Sequence, residues 1–238
     1  MKRNKLIEFD CSVMKNLKGF YFIGIDEVGR GALAGPVIAC AFSWKKDINS
    51  IRKNYSDSKL LKLNDSKQLT KKEREEIYFS LVELGDFALG YASVQEIEKL
   101  NILNATSLAI KRAYENLMSL FLDKISDLEP YLLIDGNKFN PYINSRQSSI
   151  IYGDAKSSLI AGASIIAKVY RDMLMARISE LKSCKKFGWS HNAGYGTLFH
   201  RKAIKKHGLT PLHRKLFVRN IVGVSRRNAS TSVVIAGG

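Results

Sequence analysis

The sequence predicts an α/β protein, a mixed sheet flanked by helices and followed by a basic helical extension. Three observations predict it. Short β-branched and aromatic runs of strand length are separated by longer amphipathic stretches. Three strand-like runs are interrupted and followed by helical segments, then come strand, strand and helix, an order that fits a mixed sheet. Apolar residues make up 45% of the 238-residue chain and charged residues 25%, enough for a core and normal for a globular protein.

Residues 20–25 form the first strand-like run, ending at Asp26 and Glu27. The segment Gly29-Arg-Gly-Ala-Leu-Ala-Gly35 is a glycine-rich turn, and residues 36–44 read as a second buried strand, so the two runs form a hairpin pair. Residues 70–84 read as a helix: Thr70 and Glu73 make a capping box, and Ile77, Leu81 and Leu84 share a face. Residues 86–93 are a third strand, and residues 104–122 a second amphipathic helix. Residues 131–134 are a short strand running into Asp135, and residues 149–152 another. Residues 157–178 form a long helix whose first half is apolar with small residues and therefore buried. The domain reading is a catalytic domain over 18–181, a helical extension of it over 182–227 and a mobile tail over 228–238.

Lys and Arg total 38 against 22 acidic residues, a formal net charge of +16, which favours a polyanionic partner. A lysine-rich genome or a simple solubility charge would give the same number. Cys11, Cys40 and Cys184 are far apart and form no CxxC pair, so neither a disulfide framework nor a zinc site follows. No secretory leader is visible, and the longest uncharged run, residues 31–44, is too short for the ~20 apolar residues of a membrane span.

Four carboxylates stand at the edges of these elements: Asp26, Glu27, Asp135 and Asp154. Strand ends are where active sites collect in α/β sheets. Phosphodiester cleavage gives a reason to bring carboxylates together, because a pair of hard divalent ions can activate water and stabilise the leaving oxygen. Clustered carboxylates would repel one another without cations, so their convergence would itself predict a metal. Each also has a blander reading. Asp26-Glu27 could open a solvated turn, Asp135-Gly-Asn137 could be an ordinary turn, and Asp154 could sit near a helix N-terminus for its dipole.

The blocks around these residues resemble the ribonuclease HII family. Gly24-Ile-Asp-Glu-Val-Gly-Arg-Gly31, Asp65-Ser-Lys-Gln-Leu69, Ile134-Asp-Gly-Asn137, Gly153-Asp154 with Ala163-Ser-Ile-Ile-Ala-Lys-Val-Tyr-Arg-Asp172, Gly194-Tyr-Gly-Thr197 and His213-Arg214 occur in the family's order. The resemblance implies a ribonuclease H-like fold, with a five-stranded mixed sheet and a C-terminal helical segment. It implies a catalytic tetrad of Asp26, Glu27, Asp135 and Asp154, with Asp26, Glu27 and Asp135 as direct ligands of Mg²⁺ or Mn²⁺. It implies an endonuclease cutting the RNA strand of RNA/DNA hybrids. The backbone of Gly29-Arg30-Gly31 would read the ribose 2′-hydroxyl and Tyr195 would pack on the next sugar, so that single ribonucleotides in duplex DNA are also substrates. The related ribonuclease HIII enzymes carry an extra N-terminal domain, and only about twenty residues precede the first strand, which favours type 2. The residues after His213-Arg214 depart from the common pattern.

Lys67 is a phosphate-contact candidate, and Lys168 and Arg171 are others that could instead merely snorkel at their helix end. The basic stretch 201–215 is a solvated face or a phosphate-tracking surface. Asp172 is read as the partner of a base, and His191, His200, His207 and His213 as structural or phosphate-adjacent. A cytoplasmic monomer, with a replication clamp as one further partner, completes the expectation. Two rivals remain: another two-metal nuclease of the same broad fold, such as a resolvase or transposase, and a basic RNA- or ribosome-binding protein that needs no metal.

Overall fold

The computed structural model describes residues 4–17, 19–54, 59–63, 69–121 and 128–222. Strand β1 (Phe20–Val28) pairs antiparallel with β2 (Val37–Trp44), and β2 pairs antiparallel with β3 (Gly85–Ala92). On the other side of β1, β4 (Glu129–Asp135) joins in parallel, and β5 (Arg146–Ile150) joins β4 in parallel. The order β3-β2-β1-β4-β5 is the expected five-stranded mixed sheet.

Side-chain alternation splits the sheet into two buried faces. Phe22, Cys40, Phe42 and Leu133 pack with α1 (Lys5–Asn16), α2 (Ile48–Asn54), α3 (Lys71–Leu84) and α5 (Ser158–Ser179). Ile23, Ile25, Ala39, Ala41, Leu132 and Ile134 pack instead on α4 (Val94–Ser119). A third cluster gathers the C-terminal extension, with α6 (Trp189–Asn192), α7 (Leu198–His207) and α8 (Lys215–Val218) enclosing Phe187, Trp189 and Ile204 against Ala34 and Met175. No described helix is long and apolar enough to cross a membrane.

The structure departs from the sequence reading in several elements: β1 runs on through Asp26 and Glu27 to Val28, because all three pair with β2, and α1 and α2 are additional helices. Helix α4 begins ten residues before the expected 104, because Ser93 and Glu96 make a capping box of their own. Asn101 then interrupts it at φ 65°, and its side chain accepts from the Leu103 and Asn104 N–H groups, which is why only the second half looked helical. The strand expected at 149–152 is β5, which ends at Ile150, and Tyr152 turns at φ 57°. Its polar residues are those of an edge strand, which hides its period. Helix α1 was not foreseen, because Leu6 and Ile7 are buried among charged residues that hide the apolar stripe.

Helix α1 is anchored by buried Asp10, which accepts from the Ser158 hydroxyl (2.5 Å) and the Leu159 N–H (3.1 Å) at the start of α5. Burial, only partly offset by those bonds, pushes the Asp10 carboxyl up from 3.8 to about 6. A raised folded-state value means that this group's stabilisation is complete below about pH 4 and is lost as the pH rises through about 6. The gap corresponds to up to about 3 kcal/mol. Asp10→Asn, which keeps an acceptor for both donors, is expected to flatten this part of the pH dependence. Urea midpoints of both proteins between pH 4 and 7.5 check it; parallel curves would refute it.

Candidate active site

The register of β1 against β4 decides which carboxylates meet. Ile25 pairs with Ile134 in parallel, so Asp26 and Asp135 are the next residues on neighbouring strands and leave the sheet on the same face. Adjacent strands lie about 4.8 Å apart, which puts both carboxylates within each other's field. Asp26 is pushed well above its ordinary range, first by burial, then by the charges of Glu27 and Asp135. Contact with Ser164 on α5 and the Glu27 N–H (2.7 Å) opposes this. Glu27 is raised by burial and held down by Arg30, whose guanidinium donates to it at 2.9 Å.

Asp135 Oδ1 accepts from the Gly153 N–H at 2.7 Å, which ties the end of β4 to the short turn Gly153–Ala155 that carries Asp154. Asp154 is itself buried. Asp26, Glu27 and Asp135 share a cavity of about 510 Å³ with Arg30, Arg74, Ser164, Lys168 and Tyr195; Asp154 is not among the residues lining it. Among the described residues, no three His, Cys, Asp or Glu side chains are drawn close enough to clasp an ion as they stand. Even so, the donor set suits a hard cation: hard carboxylate oxygens, with Asp26 buried and under the repulsion of its two part-buried neighbours.

The remaining site residues separate into reach and scaffold. Gly29, at φ 91°, presses against Arg171, where a Cβ would lie 2.3 Å from Nε; Gly31 has nothing within 4 Å of such an atom. Arg30 is exposed. Tyr195 stands with Lys168 Nζ 5.6 Å and Arg171 Cζ 5.3 Å from its ring centre. Lys67 lies outside the described residues.

Arg171 is not a phosphate reader. It is fully buried and donates to the carbonyls of Ala34, Pro36 and Ala193. Arg214, read as part of a basic surface, is equally buried and donates to Gly35 and Arg30. Together they clamp the 29–36 turn to the C-terminal extension. Lys168 pairs with Asp172 at 2.7 Å, as expected for Asp172. Arg201, Lys202, Lys205, Lys206 and Lys215 do face solvent. Ser164 and Arg74 were missed as site residues; Ser164 lies inside a block whose helical period reads only as core.

Carboxylates and cations lining one cavity are what cleavage of a polyanionic backbone requires, and on this sheet order they define a nuclease of the ribonuclease H-like fold. The model of the ribonuclease HII family matches residues 23–220, and the chain belongs to that family of metal-dependent phosphodiester hydrolases. It is 46% identical to the ribonuclease HII of Fusobacterium nucleatum subsp. nucleatum over 202 residues, covering 84% of this chain and 86% of that one. It is 46% identical to that of Pelagibacter ubique over 194 residues, covering 82% and 94%. Among solved structures, ribonuclease HII in its complex with PCNA from Archaeoglobus fulgidus superposes with a TM-score of 0.62 at 22% identity, covering 82% of this chain and 94% of that one. Bst-RNase HIII in complex with Mn²⁺ gives 0.65 at 19% identity, covering 90% and 72%. These two likenesses concern the fold.

Proposed function

We propose that the chain hydrolyses the RNA strand of RNA/DNA hybrids, including single ribonucleotides embedded in duplex DNA, leaving 3′-hydroxyl and 5′-phosphate ends. The observation that carries the reading is the placement of Asp26 and Asp135 side by side just past the last pair of the parallel β1–β4 ladder, in one cavity with Tyr195 and Arg30. Asp26, Glu27 and Asp135 would hold Mg²⁺ or Mn²⁺, with Asp154 completing the tetrad. When bound, a pair of such ions supplies Lewis-acid activation of water and stabilisation of the departing 3′-oxygen.

The protein's own part is positioning. The Gly153 N–H fixes one oxygen of Asp135, and Ser164 and the Glu27 N–H brace Asp26. The open side of Gly31 leaves room for a sugar-phosphate backbone to approach the main chain, where a 2′-hydroxyl distinguishes ribose. Tyr195 packs on the following deoxyribose, so the pair reads an RNA-to-DNA junction. Lys67 is a phosphate contact. The chain works as a cytoplasmic monomer; a replication clamp is a further partner by analogy with the archaeal complex.

The test is a DNA duplex carrying one ribonucleotide, incubated with Mg²⁺, Mn²⁺ or EDTA. Metal-dependent cleavage on the 5′ side of the ribonucleotide is expected. Cleavage of a long hybrid alone would discard junction reading, and no cleavage of either would favour a binding protein.

A further inference from the structure

Behind Tyr195 lies a chain of buried aromatic nitrogens. Trp189, His200 and His213 are all essentially inaccessible to solvent. The indole Nε1–H of Trp189 donates to His200 Nε2 at 3.0 Å, and an indole nitrogen can only donate. His200 Nε2 is therefore bare, its ring proton sits on Nδ1, and that proton is given to the Tyr195 carbonyl at 2.9 Å. The Thr210 N–H donates to His213 Nδ1 at 2.9 Å, so His213 carries its proton on Nε2 and donates to His200 Nε2 at 3.2 Å. Every ring nitrogen has one permitted role. A further proton on either ring would face a donor, and burial, followed by the charge of His200, pushes His213 down to about 4.

This order ends at the residue the proposed function assigns to junction reading. The Tyr195 carbonyl also accepts from the Thr197 N–H (2.8 Å), and its own N–H donates to Asn192 (2.8 Å). The main chain of Tyr195 is thus held from below, while its ring stands in the cavity of Asp26, Glu27 and Asp135. We infer that His200 and His213 are positioning residues, a relay of fixed tautomers that orients Tyr195 and thereby sets the discrimination between an RNA-to-DNA junction and uniform hybrid. The inference rests on the Tyr195 reading.

Two amide substitutions separate positioning from packing. In His200→Gln the amide lies at the Nε2 position, keeping an acceptor for Trp189 and His213 but losing the donor to Tyr195. In His200→Asn it lies at the Nδ1 position, keeping that donor and losing the acceptor. The preference for a single embedded ribonucleotide over a long hybrid, as a ratio of kcat/KM values, is expected to fall about five- to ten-fold in His200→Gln, the effect of one lost hydrogen bond. It stays within about two-fold of wild type in His200→Asn, although that variant melts lower. A preference that follows melting temperature instead, with His200→Asn the worse of the two, overturns the relay.

Tyr195→Ala is assayed beside them. If it loses the preference while His200→Gln keeps it, the relay alone falls. If Tyr195→Ala keeps the preference, the Tyr195 reading falls and takes the relay's function with it. Should neither histidine variant fold, ¹⁵N NMR of the wild-type imidazoles decides. The Nδ1–H form of His200 and the Nε2–H form of His213 are expected, and the reverse tautomer of either overturns the relay.

Discussion

Asp26→Asn and Asp135→Asn are each expected to lower the cleavage rate at least about a thousand-fold while hybrid affinity stays within a few-fold of wild type. The asymmetry follows from what each carboxylate does in the fold. Asp26 accepts the Glu27 N–H and Asp135 accepts the Gly153 N–H through Oδ1, an atom that asparagine retains. The substitution therefore removes charge and leaves the local bonds in place. Affinity for a polyanion comes chiefly from cations; on the proposed reading these would be Arg30, Lys168 and the exposed bases of α7, none of which is touched. Stability should rise in metal-free Asp26→Asn protein at neutral pH. The folded state holds this carboxyl well above its ordinary value, so its contribution is present at low pH and lost as the pH rises through the raised value. Single-turnover cleavage and fluorescence anisotropy on one labelled hybrid separate the two effects; wild-type-like turnover from either variant would remove that residue from the catalytic set.

How far the sequence carries this site depends on the reach of each interaction. Local signals were readable: Thr70 and Glu73 form the expected capping box, with the Glu73 N–H donating to Thr70 Oγ1 and the Thr70 N–H to Glu73. Strand identity is readable for β1, β2, β3 and β4 from their apolar and aromatic runs. The meeting of Asp26 and Asp135 was not, because it depends on the parallel register of two strands more than a hundred residues apart. Only the ordered family blocks implied it. Arg171 and Arg214 show the converse failure. A basic residue reads as a surface group, and nothing local says that five carbonyls of the 29–36 turn and of Ala193 converge on two guanidinium groups. His200 and His213 are hidden for the same reason, since a histidine's role is set by which of its nitrogens finds a donor.

The glycines of the first block make the distinction between scaffold and site measurable. Gly24 and Gly31 belong to one short motif and look equivalent in sequence. A Cβ on Gly24 would stand 2.2 Å from the Leu159 carbonyl carbon, 2.4 Å from its oxygen and 2.5 Å from the Ile160 nitrogen, all backbone atoms of the first turn of α5. None of these can yield without moving the helix off the sheet, and α5 is held there by Asp10 through Ser158 and Leu159. Gly24→Ala is therefore expected to destabilise the fold by about 2–4 kcal/mol, the range of severe overpacking. It should slow cleavage as well, because α5 also carries Ser164 to Asp26. Gly31→Ala meets nothing within 4 Å and should unfold within about 0.5 kcal/mol of wild type. If its open side is where a ribose approaches, it nevertheless loses activity. Urea denaturation of both variants gives the stability difference, and cleavage of a long hybrid well below both midpoints gives the activity. A Gly24→Ala protein as stable as wild type would mean that α5 does not sit as close to β1 as the structure places it. A fully active Gly31→Ala protein would mean that the substrate passes elsewhere.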